Sequence, residues 1–579
     1  MGFAPSYEIM SYTTPSLTQL SGAIWRHYLR RCILSNLQTK QGGVSPTLTK
    51  AVMLVLLVAS PSFSGPEGPG TRKERPGARK KPSFIWFNPD EMRAESAYGE
   101  VAMPNLDRLA AGGVRFTQCH TSHTTCSQSR AAFMTGWPTH ISGHRSLWSL
   151  VRDSEPNILR YLHDNGYDVF WWGKNDNLED TALMHSTMHN ERGEGEDHNS
   201  TRLFDIEDPR FYSFLYPPLD ASHANETMDW YNVDQAIKYL RARNASSPPF
   251  MIFLPLLLPH PPYSCPEPWH SSVDPASVTM RRPVSEAGSG KPDFHALLRN
   301  FTHQDRLNAT EAEALYRKVR AVYLGCSAYS DYLLGLLLDA LDETGLADET
   351  AVFHFADHGD YAGDYGLVEK WPSGVEDVLT RVPLVLRAPF LPSAAAGKST
   401  GELVQLFDIV ATTLELAGIE PKHVHFSRSL TPYLAAGPLP AGFAPRRFVF
   451  TEGGYATNEP RDHEGYDGLP SRETDYYYKE ALEMAVPLSV CRAVSVRNLT
   501  HKLVFRSDPT DPDHSSELYD LVQDPYELSN KYTDASYALL RAELKEEILR
   551  WLVQTSDVTP WSVCDRSSGK CTATPFRRR

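Results

Sequence analysis

The chain has 579 residues, a length that predicts two or three domains and excludes a single ordinary one. Hydrophobic residues make up 41% of the chain, as in a globular protein with a sizeable core. The formal net charge is −14, and residues 1–80 carry ten basic and three acidic side chains, so the acidic excess lies in the rest. This balance argues against nucleic acid as a partner, because phosphate binding needs basic surface. A polyanionic substrate remains possible, because it needs only a local basic pocket.

The first 82 residues contain one apolar segment with the length of a signal-peptide core. Residues 51–60 follow Lys50 and precede a stretch, 65–82, that is rich in Gly, Pro, Arg and Lys. The segment is too short to span a bilayer, so we expect no stable membrane span. A buried apolar segment is the alternative, but the stretch that follows is typical of a disordered linker. Residues 1–82 are therefore predicted to be an extended N-terminus with a signal segment at 51–63.

Sequons and cysteines agree with the secretory pathway, which leads to either the extracellular space or the lysosome. The eight cysteines are scattered and form no CxxC pair. Cys564 and Cys571 are spaced to close a small loop, and we interpret them as a disulfide, with two free thiols as the alternative. Each N-x-S/T sequon alone is weak evidence of glycosylation. The six sequons are at Asn199, Asn225, Asn244, Asn300, Asn308 and Asn498.

From Ser83 the pattern predicts an α/β fold. Short apolar strands alternate with amphipathic helices, which favours a large, mostly parallel sheet sandwiched by helices. Such sheets bind ligands beyond the carboxyl ends of their strands. We assign this larger domain to residues 83–420. Strands are predicted at 84–87, 114–116, 167–172, 250–254 and 351–355, and helices at 104–111, from just after Cys126 to 135, at 315–341 and at 406–416.

Near residue 420 the predicted elements become shorter, and residues 421–579 are predicted to form a smaller α+β domain with a tail. We expect its strands to build an antiparallel sheet, packed with a helix over residues 536–552. The predicted strands lie at 447–450, 491–496, 502–505 and 517–519.

Two pairs of polar side chains directly follow predicted strands. Asp90 and Glu91 follow the first strand, and Asp357 and His358 follow the fifth. Adjacent carboxylates repel each other, so a pair held at a strand end usually needs a cation. Three carboxylates and one imidazole suit Ca²⁺, with Mg²⁺ and Mn²⁺ as alternatives. A solvated turn is the other interpretation of either pair taken alone.

A third motif begins with Cys126-Ser-Gln-Ser-Arg130. It resembles the signature of the sulfatase family, C-x-P-S-R-x-x-L-x-T-G, with Gln128 in place of Pro and Phe133 in place of Leu. The segments PNLDRLAAGGVRF, DHGDYAGDYGLVEK, TRVPLVLRAP and ELYDLVQDPYELSN resemble other parts of the family, in the family's order. The resemblance covers residues 83–555, and by it the chain is identified as a member of the formylglycine-dependent sulfatases of the alkaline-phosphatase-like superfamily.

The resemblance implies a mechanism and its catalytic residues. In the family a formylglycine-generating enzyme oxidises the signature Cys to formylglycine, and Cys126 is the matching residue here. One hydroxyl of the hydrated aldehyde attacks sulfur and the other allows sulfate to be expelled, whereas a Ser or Cys would be trapped as an ester. Arg130, one helical turn later, would stabilise the ionised hydrate and bind sulfate oxygens. The implied ligands of one divalent cation are Asp90, Glu91, Cys126, Asp357 and His358.

Three further residues match family positions near the sulfate group. Lys174 and Lys370 match sulfate-binding lysines, and His260 matches a residue beside the leaving oxygen that acts as general acid. Surface lysines and a loop histidine without a role are the alternatives. His140 and His144 closely follow the signature and are weaker candidates for the pocket, because loop histidines are often merely solvated.

The resemblance therefore implies a sulfatase that cleaves the sulfate ester of a small molecule or glycan, with a sulfated carbohydrate as the leading candidate. A phosphodiester or phosphonate monoester hydrolase of the same superfamily is the alternative enzyme, because it keeps similar metal ligands. A non-catalytic binding protein, a pseudo-sulfatase, is the alternative that is not an enzyme. Gln128 motivates it, because the family's converting machinery favours Pro or Ala at that position.

N-terminal processing tests the signal segment. We expect the mature protein, purified from the medium of a eukaryotic secretory host, to begin after residues 51–60, because signal peptidase cleaves behind an apolar core. N-terminal sequencing identifies the first residue, and an occupied glycan at any sequon supports the same route independently. A mature chain that begins at Gly2 would contradict the prediction.

Overall fold

The architecture comes from a computed structural model in which Lys80–Arg579 forms one compact unit. The predicted signal segment, the linker after it and the Asn199 sequon lie outside the residues that the structure describes. The division of the chain near residue 420 stays a prediction. The described residues are 81–191, 201–285, 290–456, 470–507, 515–558 and 567, with the backbone of 562–564 and 571–573.

A nine-stranded sheet forms the centre of the fold. Its strands are β1 (Ser83–Asp90), β2 (Val114–His120), β3 (Asp168–Trp172), β4 (His189–Glu191), β5 (Phe250–Pro259), β6 (Thr350–Phe355), β7 (Arg381–Val382), β8 (Leu384–Arg387) and β9 (Lys398–Gln405). Across the sheet the order is β4-β3-β5-β1-β6-β8-β2-β7, with β9 beside β2. Five neighbouring pairs are parallel and three are antiparallel. The predicted mostly parallel sheet is confirmed.

Helices sandwich this sheet, as the alternating pattern predicts. They are α1 (Pro104–Ala111), α2 (Cys126–Thr135), α3 (Ile158–Asp164), α4 (Asp180–Ser186), α5 (Met228–Ala242), α6 (Phe294–Phe301), α7 (Ala309–Glu343), α8 (Asp377–Thr380) and α9 (Asp408–Ala417). By length and apolar composition α7 would be long enough to cross a membrane. However, 83% of its most apolar window is buried inside the fold, which is the pattern of a core helix.

Aromatic packing at the centre of the sheet accounts for one departure from the sulfatase signature. Trp86 on β1 lies edge-on to Phe133 of α2, with ring centroids 6.2 Å apart. Phe133 also meets Phe355 of β6 at 5.2 Å and Phe253 of β5 at 6.3 Å. Such edge-to-face pairs add about 0.5–1.5 kcal/mol each beyond the burial of area. A Phe at this position therefore anchors α2 to the three central strands, and it does not disturb the signature.

A smaller antiparallel sheet follows, as predicted. Its core contains Val496, Leu503, Leu518 and Leu544, and the last helix packs on its two middle strands. A final two-stranded ribbon has Cys564 directly opposite Cys571; their disulfide stays a prediction. The elements of this part are α10 (Thr431–Leu434), β10 (Val449–Gly453), α11 (Tyr477–Ala485), β11 (Ala493–Arg497), β12 (His501–Arg506), β13 (Glu517–Asp520), α12 (Ala538–Thr555), β14 (Ser562–Cys564) and β15 (Cys571–Ala573).

Gly359 tests how tightly the segment after β6 is packed. An ideal Cβ on this residue would lie 1.9 Å from the carbonyl oxygen of Val378, whose backbone cannot easily move. We expect Gly359→Ala to lower the free energy of unfolding by about 2 kcal/mol or more, because it overpacks a buried contact. Thermal unfolding followed by circular dichroism measures the loss. Gly401→Ala is the control, because the nearest atom there is 3.9 Å away; equal melting temperatures of the two variants would contradict the prediction.

Candidate active site

The candidate site lies where two neighbouring strands end. β1 and β6 are parallel and adjacent, with Phe87 opposite His354, so their carboxyl ends meet at one edge of the sheet. Asp90 is the last residue of β1, and Asp357 follows the end of β6. The N-terminus of α2 brings Cys126 to the same edge, 3.6 Å from an oxygen of Asp90. A helix N-terminus carries partial positive charge, so this position favours a bound anion.

Four residues form a compact group of metal-ligating type. One ligand atom from each of Asp90, Cys126, Asp357 and His358 lies within 4.8 Å of the others, and all four side chains are buried. Nε2 of His358 is 3.2 Å from the sulfur of Cys126 and 3.7 Å from Oδ1 of Asp90. Its Nδ1 lies 2.9 Å from the backbone oxygen of Gly359, to which it donates. That contact leaves the Nε2 lone pair free for a cation.

Glu91 belongs to a second, overlapping group. One ligand atom from each of Glu91, Asp90 and His260 lies within 4.8 Å of the others, and Glu91 is not a member of the four-residue group around Cys126. Its Oε2 accepts a hydrogen bond from Lys370 at 3.1 Å. Its Oε1 is buried without a hydrogen-bond partner among the described residues, and burial raises the pKa of this carboxyl well above its usual value. A buried carboxylate oxygen with no donor fits a cation ligand, so the predicted ligand set is chemically compatible with the site.

Arg130 and Lys174 neutralise the buried carboxylates. Arg130 lies 3.1 Å from Asp90 and 2.8 Å from Asp357, with all three side chains fully buried. Nζ of Lys174 donates to Asp90 at 2.7 Å and lies 3.8 Å from the sulfur of Cys126. Burial alone would raise the pKa of Asp90, but the positive charges of Lys174 and Arg130 hold it well below its usual value. Nη1 of Arg130 has no hydrogen-bond partner among the described residues and remains available to an anion.

The thiol of Cys126 is a poor nucleophile in this environment. Burial, together with the negative charge of Asp90, raises its pKa well above the usual value. The thiolate is the reactive form of cysteine, and a raised pKa keeps the group protonated at neutral pH. The arrangement positions residue 126 without activating its sulfur.

His260 and Lys370 form the other side of the site. Nζ of Lys370 lies 3.2 Å from Nε2 of His260, and Nδ1 of His260 lies 2.6 Å from the backbone oxygen of Pro261. Burial, and then the positive charge of Lys370, lowers the pKa of His260 well below its usual value. His260 is therefore a neutral imidazole whose Nε2 accepts a hydrogen bond from Lys370.

Two further residues complete the site and were not predicted. Glu369 contacts Lys370 at 2.5 Å and Lys479 of α11 at 2.7 Å, and all three side chains are buried. Glu369 precedes Lys370 in the chain and could have been noticed from the motif. Lys479 lies 110 residues further on and carried no signal. Asp176 forms a salt bridge with Lys174 at 2.8 Å.

The two weaker histidine candidates make their contacts elsewhere. Nε2 of His140 is 2.9 Å from the hydroxyl of Thr555, and its Nδ1 is 3.0 Å from Glu452. His144 is buried between the backbone oxygen of Ser149 and the carboxylate of Glu155. The groups within 4.8 Å around Cys126 and Glu91 contain neither histidine.

Known proteins resemble the chain in both sequence and fold. The sulfatase family model matches residues 86–419. PehA of Trinickia caryophylli, a multifunctional alkaline phosphatase superfamily protein, is 26% identical over 526 residues, which are 82% of this chain and 94% of PehA. Iduronate 2-sulfatase of Homo sapiens is 24% identical over 511 residues, 77% of this chain and 90% of that protein. The phosphonate monoester hydrolase of Agrobacterium radiobacter has a similar fold, with TM-score 0.67, 23% identity and coverage of 86% of this chain and 100% of that structure.

Loss of a ligand charge tests the metal site. We expect Asp357→Asn to lower kcat for an aryl sulfate on the order of 100-fold or more, because a carboxylate at the centre of the group disappears. Chelation of the wild-type protein should have the same effect and be reversed by adding Ca²⁺, while circular dichroism shows the secondary structure unchanged. Asp348→Asn on the surface is the matched control. Full turnover by chelated protein would refute the metal-site assignment.

Proposed function

Because the chain belongs to the sulfatase family, we propose that it hydrolyses a sulfate ester through a formylglycine hydrate formed at Cys126. The observation that carries this proposal is the contrast between the position and the chemistry of Cys126. The residue contacts Asp90, His358 and Lys174 at the N-terminus of α2, yet burial and the charge of Asp90 raise the pKa of its thiol, which disfavours the nucleophilic thiolate. Conversion to an aldehyde hydrate would supply two hydroxyls, one to attack sulfur and one whose deprotonation releases sulfate.

The cation site supports the same chemistry. Asp90, Asp357 and His358 would hold one divalent cation with residue 126, and Glu91 would join through its unpaired Oε1. Ca²⁺ is our first choice, since the set is rich in oxygen, and Mg²⁺ and Mn²⁺ are alternatives. When bound, the cation would act as a Lewis acid and favour the ionised form of a hydroxyl on residue 126.

Arg130 and Lys174 are proposed to bind the sulfate oxygens. Both side chains lie beside Cys126, and Arg130 has an N–H group without a protein partner among the described residues. A guanidinium and an ammonium would hold the sulfate through charge-assisted hydrogen bonds and counter the charge that develops on its oxygens. Both cations are already fixed by Asp90, so little reorganisation is needed when substrate binds.

His260 and Lys370 are proposed to deliver a proton to the leaving alcohol. His260 is neutral, because burial and Lys370 depress its pKa. It can donate from Nε2 only after taking up a proton there, and Lys370 is the donor in contact with that atom. Glu369 and Lys479 hold Lys370 in place through their own ion pairs. The pair would therefore serve as general acid, with Lys370 also able to contact the sulfate.

A sulfated carbohydrate is the proposed substrate class. Iduronate 2-sulfatase, a relative along most of its length, is named for a sulfated sugar. We propose that the protein passes through the secretory pathway to the lysosome or the cell exterior, where such sugars occur, and that a formylglycine-generating enzyme modifies it on the way. Residues 83–420 would carry the catalytic centre, and residues 421–579 would contribute Lys479 to it.

A phosphonate monoester or phosphodiester hydrolase is the second candidate. PehA and the phosphonate monoester hydrolase of Agrobacterium radiobacter favour it, since each covers more than four fifths of the chain. Phosphonate esters and sulfate esters are both tetrahedral oxyanions, and the cationic side chains of the site suit either. Purified enzyme with an aryl sulfate and an aryl phosphonate separates the two functions. Much faster turnover of the phosphonate would overturn the sulfatase proposal.

A non-catalytic pseudo-sulfatase is the third candidate, and it depends on Gln128. This side chain is fully buried, and its Nε2 donates to the backbone oxygen of Arg145 at 3.1 Å. Gln128 thus engages a neighbouring loop and leaves the ligand group unchanged. We therefore prefer the catalytic sulfatase to the pseudo-sulfatase. Whether Cys126 is a thiol or a formylglycine decides between the two.

The state of Cys126 is the test of the mechanism. We expect a peptide mass spectrum of protein made in a host with the converting enzyme to show formylglycine at Cys126, at least in part. Cys126→Ser should lower aryl sulfate turnover at least about 1,000-fold, because one hydroxyl cannot both attack sulfur and expel sulfate. It should also accumulate a sulfated peptide. Gln128→Pro should raise the converted fraction if Gln128 limits recognition.

One combination of results would refute the mechanism. If Cys126 stays a thiol in every host while sulfatase activity is high and survives Cys126→Ser, residue 126 is not the nucleophile. Water bound at the cation site would then have to carry out the reaction. A converted Cys126 with activity toward neither sulfate nor phosphonate esters would instead support a binding protein.

A further inference from the structure

A cavity of about 420 Å³ lies away from the candidate active site, between α12 and the chain that leads into β10. None of its lining residues belongs to the groups around Cys126 and Glu91. Its wall combines guanidinium groups with aromatic rings, although the chain as a whole has a net charge of −14. The residues on which the argument rests are Arg428, Arg446, Arg447, Phe450, Arg550 and Trp551.

The arginines of this cavity are only partly neutralised. Arg446 is bound to the buried carboxylate of Asp408, and Arg550 pairs with Glu546 and with Glu547, which also lines the cavity. Arg428 and Arg447 form no side-chain ion pair among the residues that the structure describes, although Asp408 accepts a hydrogen bond from the backbone N–H of Arg428. Burial and the nearby charge of Arg446 lower the pKa of Arg428. An anion in the cavity would relieve this repulsion and pair with the guanidinium groups of Arg428 and Arg447, the second of which lies over the ring of Phe448.

The aromatic side chains give the cavity a flat and stable wall. Phe450 of β10 and Trp551 of α12 are stacked, with ring centroids 4.7 Å apart and planes 1° apart. His140 packs edge-on to Trp551 at 5.0 Å and holds Thr555 at the end of the same helix. Flat aromatic faces beside guanidinium groups suit a ring that has apolar C–H faces and anionic substituents. That description fits a sulfated sugar.

We propose that this cavity is a second binding site for a sulfated oligosaccharide, separate from the catalytic centre. Arg428 and Arg447 would bind sulfate groups of the chain, and the parts of the Phe450 and Trp551 rings that their mutual stacking leaves uncovered would pack against the sugars. The proposal rests on the proposed function, because it extends substrate recognition beyond the ester that is cleaved. A second contact of this kind would raise affinity for long chains more than for small esters.

Two other occupants fit the charges less well. A nucleic acid would meet the same arginines, but the chain as a whole carries −14 and would repel its backbone beyond the cavity. The C-terminal tail, residues 559–579, has five basic residues and one acidic residue, so it would add positive charge to a cavity that already has an excess.

Titration calorimetry with a heparin-derived hexasaccharide tests the second site. The full chain is used with Cys126→Ala as background, so that the probe is not hydrolysed. We expect Arg428→Ala to weaken binding about tenfold and Arg428→Ala with Arg447→Ala about 100-fold, since each loses a charge-assisted contact. Arg241→Ala is the matched control. This substitution also removes one positive charge, but from an exposed position on α5 that is far from the cavity. It should leave the affinity unchanged.

Activity measurements separate this site from the catalytic one. With Cys126 present, Arg428→Ala should leave kcat/KM for a small aryl sulfate within about twofold, because distant sites act independently. KM for the hexasaccharide should rise if that chain is a substrate. If no aryl sulfate is hydrolysed by any preparation, the proposed function fails, while the calorimetric titration still decides whether the second site exists.

Three results would overturn the proposal. The first is equal hexasaccharide affinity of the double arginine variant and its control. The second is equally tight binding of a chemically desulfated hexasaccharide, which would exclude recognition of sulfate. The third is tighter binding of a single-stranded RNA through the same two arginines, which would assign the cavity to nucleic acid.

Discussion

The structure depends on the convergence of two buried carboxylates. Asp90 and Asp357 end adjacent parallel strands, so the sheet itself forces them together at one edge. Two ionised carboxylates in a buried position are costly unless cations lie beside them. Arg130 meets both of them, and Lys174 meets Asp90. The start of α2 is therefore fixed by charge as well as by packing, and residue 126 lies beside these carboxylates and Lys174.

A second chain of charges ties the later part of the molecule to this centre. Glu91, Lys370, Glu369 and Lys479 alternate in sign and are all buried. Removal of one member would leave its neighbours unpaired in a low-dielectric environment, which is costly. Because Lys479 belongs to α11, the proposed catalytic centre would include a side chain from beyond the predicted boundary at residue 420. The ordering of that helix is then a condition for the correct position of Lys370.

The sequence predicted most of the fold because its elements are long and periodic. The strands β1 and β6 and the helices α1 and α2 lie within three residues of their predicted limits, and α7 begins six residues earlier than predicted. The strands β4, β7, β8 and β9 were missed. β4, β7 and β8 have only two to four residues each, too few to carry a clear pattern, and β9 is mostly polar and half-exposed along its first five residues. The site residues beside Cys126 followed from motifs. The role of Lys479 and the cavity beside α12 could not be predicted from motifs, because each depends on tertiary contacts between distant segments and not on local spacing.

Burial decides when Gln128 can matter. In the folded chain Gln128 is fully buried, and Cys126 is 3% exposed. An enzyme that acts on Cys126 needs the segment around it to be accessible, so the proposed conversion would have to precede the packing of α2 against the sheet. Gln128 would then be read in an extended or unfolded segment, where its contact with Arg145 does not exist. The same residues therefore have to satisfy two separate requirements, packing in the folded site and recognition by the modifying enzyme. A substitution that the folded site tolerates can still weaken recognition by the enzyme.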